Sequence, residues 1–282
     1  VPESAVSLYV REVGQTEPVV AHRANAPMNP ASTMKILTTL VGLDVLTPSY
    51  TWQTTFSSNA RVVASVLGGA LYVKGSGDPK FLTEHLQAAI KGLRDRGIRE
   101  IAGDLIIDRS RFAPVTHDAA AFDGLPLRPY NVGPDALLFN FKTVGFRLSP
   151  QADGSVRIVT DGPAPDGLSV DNRLRTTTGT CPNDWRSRMQ PVFDDRGNAV
   201  TAIFSGVYAV DCGDRDWYVS LFDHGSLFAG LFARLWGDAG GVWQGQVKAG
   251  TVPRTARVLY THTSAPLATM VTDINKFSNN VM

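Results

Sequence analysis

A Ser-x-x-Lys pattern, Ser32 to Lys35, opens the longest apolar segment of the chain. Pro30 stands just before it, where helices commonly begin. Apolar side chains follow at approximately helical spacing: Met34, Leu37, Val41 and Leu43. Gly42 and Asp44 interrupt the run, which is well short of the roughly 20 residues that a membrane helix needs. The pattern therefore predicts a packed helix with Ser32 in its first turn, and the rest of the fold must be built around it.

The spacing of Ser32 and Lys35 has a chemical meaning on a helix. Residues three apart lie on one face, with Cβ atoms about 5–6 Å from each other. A neutral lysine amine at that distance can take the proton of the serine hydroxyl, and the helix N-terminus favours the negative charge that develops. A pattern this short arises by chance about once in a chain of this size, but this sequence contains only one copy. Ser32 is therefore a candidate nucleophile with Lys35 as its base.

A Ser-x-Asn pattern, Ser278 to Asn280, directly follows the last predicted helix, residues 266–277. A hydroxyl here can relay a proton, and an amide can bind a substrate backbone or hold the lysine. Residues 57–59 match the same pattern. They lie close after Ser32 in a polar stretch, and we interpret them as a loop.

The intervening sequence alternates β-rich runs with helical periodicity. Predicted strands are residues 5–12, 18–22 and 101–107, and predicted helices are residues 81–96 and 217–236. Frequent Pro, Gly, Asp and Asn between about 113 and 200 indicate short strands and long loops.

The two cysteines, Cys181 and Cys212, lie 31 positions apart and belong to no Cys-x-x-Cys pair. With no histidine cluster nearby, zinc is disfavoured. Two buried free thiols are one interpretation. The polar turn sequences on both flanks favour a disulfide instead, which would indicate an oxidising compartment. The net charge of +1 argues against nucleic-acid binding as the main function.

The two motifs together resemble the first two-thirds of the signature of serine penicillin-recognising enzymes. The 246 positions between Ser32 and Ser278 are far more than in class A β-lactamases. Such a separation resembles the low-molecular-mass class C penicillin-binding proteins, in which two extra domains lie between the motifs. Further segments are similar to that family in the same order: residues 29–35, 72–79, 103–108, 128–135 and 274–280.

The resemblance implies an α+β fold. Its catalytic part is a penicillin-binding, β-lactamase-like transpeptidase domain, an antiparallel sheet flanked by helices, and it carries two nested, β-rich inserted domains. The implied boundaries are 1–62 and 250–282 for the catalytic domain, 63–144 and 214–249 for inserted domain II, and 145–213 for domain III nested within domain II. This division places Cys181 and Cys212 in the same domain.

The implied activity is that of a serine D-alanyl-D-alanine carboxypeptidase/endopeptidase. It acts on peptidoglycan stem peptides and cross-links through an acyl-enzyme and is acylated by β-lactams. Ser32 is the implied nucleophile, Lys35 the general base, Ser278 the proton relay to the leaving amine, and Asn280 the group that binds substrate amides. No metal or organic cofactor is needed for this reaction.

Two other functions stay open. The same fold with an incomplete site could serve as a peptidoglycan-binding module, and a β-lactamase would share both motifs, although the long separation counts against it. The chain begins at Val1 without an initiator Met. Together with the expected disulfide, this leads us to expect a periplasmic or extracytoplasmic protein whose signal peptide has been removed.

The third motif of the family, Lys-Thr-Gly or Lys-Ser-Gly, should follow the Ser-x-Asn pattern. Residues 248–250, Lys-Ala-Gly, precede Ser278 and would break the order of the motifs. We therefore expect the chain to stop before the third motif. The remainder of the catalytic domain would come from a continuation after Met282 or from a second chain.

Three acidic residues are weighed as possible carboxylate sites. Asp104 and Asp108 are interpreted as exposed acids in turns. Asp123 could instead face the cleft from an inserted domain and bind a substrate amine.

Overall fold

The structure is a computed structural model that describes residues 1–282, and it contains four α-helices. These are α1 (Met34–Leu46), α2 (Thr83–Asp95), α3 (His224–Asp238) and α4 (Leu267–Phe277). Short 3-10 turns occupy Glu3–Ala5, Ala31–Thr33, Pro129–Asn131, Asn140–Lys142 and Val210–Cys212. None of the helices is both long and apolar enough to cross a membrane.

Nineteen strands accompany the helices. They are β1 (Leu8–Val10), β2 (Val20–His22), β3 (Gln53–Ser58), β4 (Val62–Val63), β5 (Val66–Leu67), β6 (Leu71–Lys74), β7 (Glu100–Ile101), β8 (Leu105–Asp108), β9 (Val144–Pro150), β10 (Val156–Thr160), β11 (Leu168–Asn172), β12 (Arg175–Thr177), β13 (Val192–Asp195), β14 (Val200–Phe204), β15 (Val207–Ala209), β16 (Arg215–Val219), β17 (Val242–Trp243), β18 (Val247–Ala249) and β19 (Arg257–Thr263). The expected hairpin is present, because β1 and β2 pair antiparallel.

A mixed five-stranded sheet in the order β18-β8-β6-β3-β19 is the largest in the molecule. Helices α2 and α3 lie against it and against a four-stranded sheet, β17-β7-β5-β4. Helix α2 buries one apolar face, formed by Leu86, Ala89, Ile90 and Leu93. Sheets flanked by helices confirm the predicted α+β class.

Three smaller sheets form the remaining β-rich part, in the orders β10-β9-β16, β11-β14-β13 and β12-β15. Edge-to-face aromatic contacts fill its interior, with Trp217 packed against both Phe193 and Phe204. The Cys181–Cys212 disulfide closes this region, with Cα atoms 4.7 Å apart, and the predicted pairing is confirmed. The five-stranded sheet draws strands from both sides of the boundaries at 62/63 and 249/250, and the division into nested domains stays a prediction.

The antiparallel pairing of β3 with β19 brings the two ends of the chain together. The register matches Gln53 with Thr263. Beyond the strands the contact continues toward the helices, because Ser264 donates its backbone N–H to the Trp52 carbonyl at 2.9 Å and Leu267 donates to the Tyr50 carbonyl at 2.8 Å. Since β3 follows α1 and β19 precedes α4, this ladder sets α4 beside α1.

Helix α1 contrasts with the other helices because most of its apolar side chains are exposed. Thr39 is its one buried residue. Five apolar side chains of α1 are each between 52% and 70% exposed: Ile36, Leu37, Leu40, Val41 and Val45. The packed helix expected from the sequence is thus present, but within residues 1–282 only one side of it is covered.

Two sequence predictions are wrong in this part of the molecule. The single helix predicted over residues 217–236 is a strand followed by a helix, β16 and then α3, and Asp223 between them accepts the backbone N–H groups of Gly225 and Ser226. Asp108 is buried rather than exposed, since its carboxylate accepts the backbone N–H of Val252 at 2.8 Å and lies 3.4 Å from the Lys74 ammonium. Both differences result from pairing with strands distant in the sequence: β16 pairs with β9, and β8, which ends at Asp108, pairs with β18.

Replacing both Cys181 and Cys212 with Ala should lower the free energy of unfolding by about 2–4 kcal/mol, because the unfolded chain would no longer be cross-linked. The change is measured by urea denaturation followed through tryptophan fluorescence, since Trp185 and Trp217 lie in the same region. The reduced parent protein is the control and should match the double variant. Unchanged stability on reduction would contradict the structural role of the bond.

Candidate active site

Ser32 lies in a 3-10 turn, Ala31–Thr33, that runs directly into α1. Ala31 before it has a φ of 45°, in the left-handed region that non-glycine residues rarely adopt. The side-chain oxygen of Asn29 accepts the backbone N–H of Ala31 at 2.9 Å and so holds this turn. The chain thereby presents the Ser32 hydroxyl at the N-terminal end of α1.

Lys35 occupies the first turn of α1 and is half-buried. Its Nζ lies 3.1 Å from the Ser32 Oγ, as the spacing of three residues predicts. An amine at this distance can exchange a proton with the hydroxyl directly.

Ser278 terminates α4 in the left-handed conformation, with a φ of 51°. Its N–H is bonded to the Ile274 carbonyl, which closes the last turn of the helix. The reversal turns the Ser278 hydroxyl toward α1, so that its Oγ lies 2.8 Å from the Ser32 Oγ and 3.4 Å from the Lys35 Nζ. The two hydroxyls and the amine therefore form one connected cluster.

Asn280 completes the cluster from the same segment. Its Oδ1 accepts a hydrogen bond from the Lys35 Nζ at 2.5 Å. Three side-chain oxygen atoms thus surround Nζ, one each from Ser32, Ser278 and Asn280. All four residues proposed from the sequence are thus brought together, although 246 positions separate the two motifs.

The competing Ser-x-Asn match at residues 57–59 is not part of this cluster. Ser57 and Ser58 belong to β3, so the loop predicted there is wrong. Both serines are buried, and Ser58 Oγ donates to the Ala70 carbonyl within the sheet.

A cavity of about 460 Å³ opens beside Asn280. Its other walls come from one segment of the chain between residues 116 and 131. The lining residues are Thr116, His117, Asp118, Ala119, Ala121, Phe122, Tyr130, Asn131 and Asn280. The cavity therefore joins the motif cluster to a part of the chain outside the predicted catalytic segments.

Asp123 organises this wall. Its carboxylate accepts hydrogen bonds from the Tyr130 hydroxyl at 2.7 Å, the Asn131 amide at 2.7 Å and the Leu125 backbone N–H at 3.0 Å. The Tyr130 hydroxyl, more than the other donors, lowers the pKa of Asp123 from its ordinary value. An ionised carboxylate thus lies next to the cavity, while the predicted contact with a substrate amine stays a prediction.

One polar contact near the cluster is not predicted by the sequence. The Asn275 side-chain amide on α4 donates to the Thr39 hydroxyl on α1 at 3.1 Å. The sequence offers only one signal for this contact, the spacing of the two residues from the motifs. Thr39 follows Lys35 by four residues, and Asn275 precedes Ser278 by three. Spacing places each side chain on a helix face but does not show that the two faces meet.

Comparison with known proteins connects this chain to one family. The model of the D-Ala-D-Ala carboxypeptidase 3 (S13) family matches residues 1–282. A D-alanyl-D-alanine carboxypeptidase of Actinomadura sp. (strain R39) is 26% identical over an alignment 291 positions long, which covers 99% of this chain and 52% of that protein. The chain therefore spans about half the length of this curated relative.

Two solved structures share the fold. Penicillin binding protein 4 from Haemophilus influenzae superposes with a TM-score of 0.74 at 21% identity, over 94% of this chain and 57% of that one. The same protein complexed with a β-lactam gives 0.65 at 20% identity, over 92% and 54%.

Replacing Tyr130 with Phe should raise the pKa of Asp123 toward its ordinary value, because the largest contribution to its lowering is lost. Carboxyl resonances followed by NMR against pH measure the shift. Tyr218→Phe is the matched control, since Tyr218 bonds to Asp161 instead. An Asp123 pKa that stays in place in the Tyr130 variant would show that the other donors hold the carboxylate.

Proposed function

Because the chain belongs to the D-Ala-D-Ala carboxypeptidase 3 (S13) family, we propose that it carries the nucleophile of a serine D-alanyl-D-alanine carboxypeptidase/endopeptidase. The observation that carries the proposal is the cluster of Ser32, Lys35, Ser278 and Asn280, whose reactive atoms lie 2.5–3.4 Å apart. Each of these side chains has a role that its distances allow.

In the proposed acylation, the Ser32 oxygen attacks the carbonyl between two D-alanine residues at the end of a peptidoglycan stem peptide or in a cross-link. Lys35 takes the hydroxyl proton as the new C–O bond forms. The C–N bond then breaks. Ser278, whose hydroxyl lies within reach of both Ser32 and Lys35, passes a proton to the leaving amine. Water hydrolyses the resulting ester and restores the Ser32 hydroxyl.

In this mechanism negative charge develops on the carbonyl oxygen of the substrate, and hydrogen-bond donors must stabilise it. The backbone N–H of Ser32, at the start of α1, is proposed as one of them, and each such donor contributes about 3–4 kcal/mol to the transition state. Asn280 is proposed to bind a substrate amide as well as Lys35, since an asparagine side chain offers both an acceptor and two donors.

β-Lactams are proposed to acylate the same serine. Attack by Ser32 opens the lactam amide, so the ring nitrogen takes the place of the leaving amine and accepts the proton. The Haemophilus influenzae penicillin binding protein 4 that shares this fold is known in complex with a β-lactam. The shared fold supports the proposal for this chain, and the choice of Ser32 rests on the cluster described above.

The exposed face of α1 is proposed to be covered by further elements of the catalytic domain. Five apolar side chains in one helix, each more than half exposed, form the kind of patch that proteins normally bury. The same elements are proposed to supply the third motif and the second donor to the substrate oxygen. The disulfide supports an extracytoplasmic location, because such bonds persist in oxidising compartments.

Ser32→Ala should abolish the covalent adduct that a β-lactam forms with the full-length protein, because the attacking oxygen is removed. Intact-mass spectrometry reads the adduct. Ser57→Ala, at the other Ser-x-Asn match, is the control and should be labelled like the parent. An adduct on the Ser32→Ala protein would refute the assignment, and a parent protein that is never labelled would favour a binding module. Rapid turnover of the adduct would favour a β-lactamase.

Lys35→Ala should slow acylation at least about 100-fold, the scale of a lost general base. The rate is measured by stopped-flow or quenched mass spectrometry on the full-length protein. Lys91→Ala makes the same substitution on α2, where Lys91 pairs only with Asp95, and should leave the rate unchanged. Acylation of the Lys35 variant at the parent rate would exclude Lys35 as the base.

A further inference from the structure

We propose that the Asn275–Thr39 hydrogen bond is a positioning contact that holds the Ser278–Asn280 segment at Lys35. The inference rests on the acyl-transfer function proposed above and deepens it. It concerns two residues that touch neither substrate nor reacting atoms and act through the helices that carry the motifs.

On α1, Thr39 is linked to Lys35 through the backbone. Its hydroxyl donates to the Lys35 carbonyl at 2.8 Å, with the Ile36 carbonyl also within reach at 3.2 Å. The single hydroxyl proton is therefore used inside the helix, and a lone pair remains to accept the Asn275 amide at 3.1 Å. Thr39 is also the one buried residue of α1, so its side chain has a fixed place.

On α4, Asn275 lies in the half of the helix that buries no side chain. The buried side chains of this helix, Leu267 and Met270, both lie in its N-terminal half. The C-terminal half, which ends in the motif, buries none. Asn275 precedes Ser278 by three residues, so the bond to Thr39 fixes this half just before the chain reverses.

No other side-chain hydrogen bond connects α4 itself to α1. The remaining side-chain bonds near this contact are those of the cluster, which join Ser32 and Lys35 to the segment just after α4. The Lys80–Asp273 ion pair, 2.6 Å long, also anchors α4, but it leads to the turn after β6 rather than to α1. It cannot by itself set the distance from Ser278 to Lys35.

The cluster needs such a contact because its geometry tolerates little error. Productive arrangements hold within about 0.5 Å, and a misplacement of about 1 Å costs on the order of 100-fold in rate. A shift of α4 along α1 would open the 2.5 Å contact between Lys35 and Asn280 and the 2.8 Å contact between the two hydroxyls.

The test compares two neighbouring threonines of α1 in the full-length protein. Thr39→Val keeps the shape and removes the acceptor for Asn275, and it should lower the β-lactam acylation rate constant about tenfold or more. Thr38→Val is the matched control, since the Thr38 hydroxyl bonds back to the Met34 carbonyl and has no partner on α4. Thr39→Ser, which keeps the hydroxyl, should retain most of the parent rate.

Asn275→Ala provides the second arm, because Asn275 is exposed and its truncation leaves no cavity. It should slow acylation as Thr39→Val does, and the double variant should be no slower than the worse single variant. The acylation rate constant, the noncovalent dissociation constant and the melting temperature are measured separately for each variant. A merely structural contact would lower the melting temperature and leave the rate constant of the folded protein unchanged.

The outcomes separate this inference from the proposed function. A parent protein that forms no adduct refutes the function itself. A parent that is acylated while Thr39→Val and Thr38→Val react equally fast, or two single variants whose effects simply add, refutes the positioning contact and leaves the function standing.

Discussion

The pairing of β3 with β19 is the constraint on which the candidate site depends, because it places the helix of one motif beside the helix of the other. The stretch between the two strands is long, yet the entropy of closing a loop grows only with the logarithm of its length, about 0.6 kcal/mol for each doubling. A long segment between β3 and β19 is therefore compatible with a fixed site.

The helices of the site can be predicted from the sequence because their signals are local. Pro30 and the apolar spacing predict α1, and the turn-like flanks predict the Cys181–Cys212 bond. Prediction from the sequence fails where the secondary structure of a segment is determined by pairing with strands far along the chain. The apolar surroundings of Trp217 favour a helix, but its strand is defined by pairing with β9, and the local capping signal of Asp223 marks where the helix begins.

Backbone strain is present at both hydroxyls, as it is at several residues outside the site. Ala31 and Ser278, both in the left-handed region, stand next to or at the reacting groups, and such residues cost about 1–3 kcal/mol each. The Asn29 side chain offsets the cost at Ala31, and the Ile274 carbonyl does so at Ser278. A relaxed backbone at Ser278 would continue the helix and carry its hydroxyl away from Ser32.

Helix α4 couples the motif cluster to the part of the chain between β3 and β19. At Asp273 it is paired with Lys80 from the turn after β6, at Asn275 it is bonded to α1, and through Asn280 it borders the cavity whose far wall is organised by Asp123. A substrate that fills this cavity would contact both parts at once. Its position relative to Ser32 would then depend on how rigidly α4 is held, so contacts with the segment between β3 and β19 would influence the proposed acylation without touching the reacting atoms.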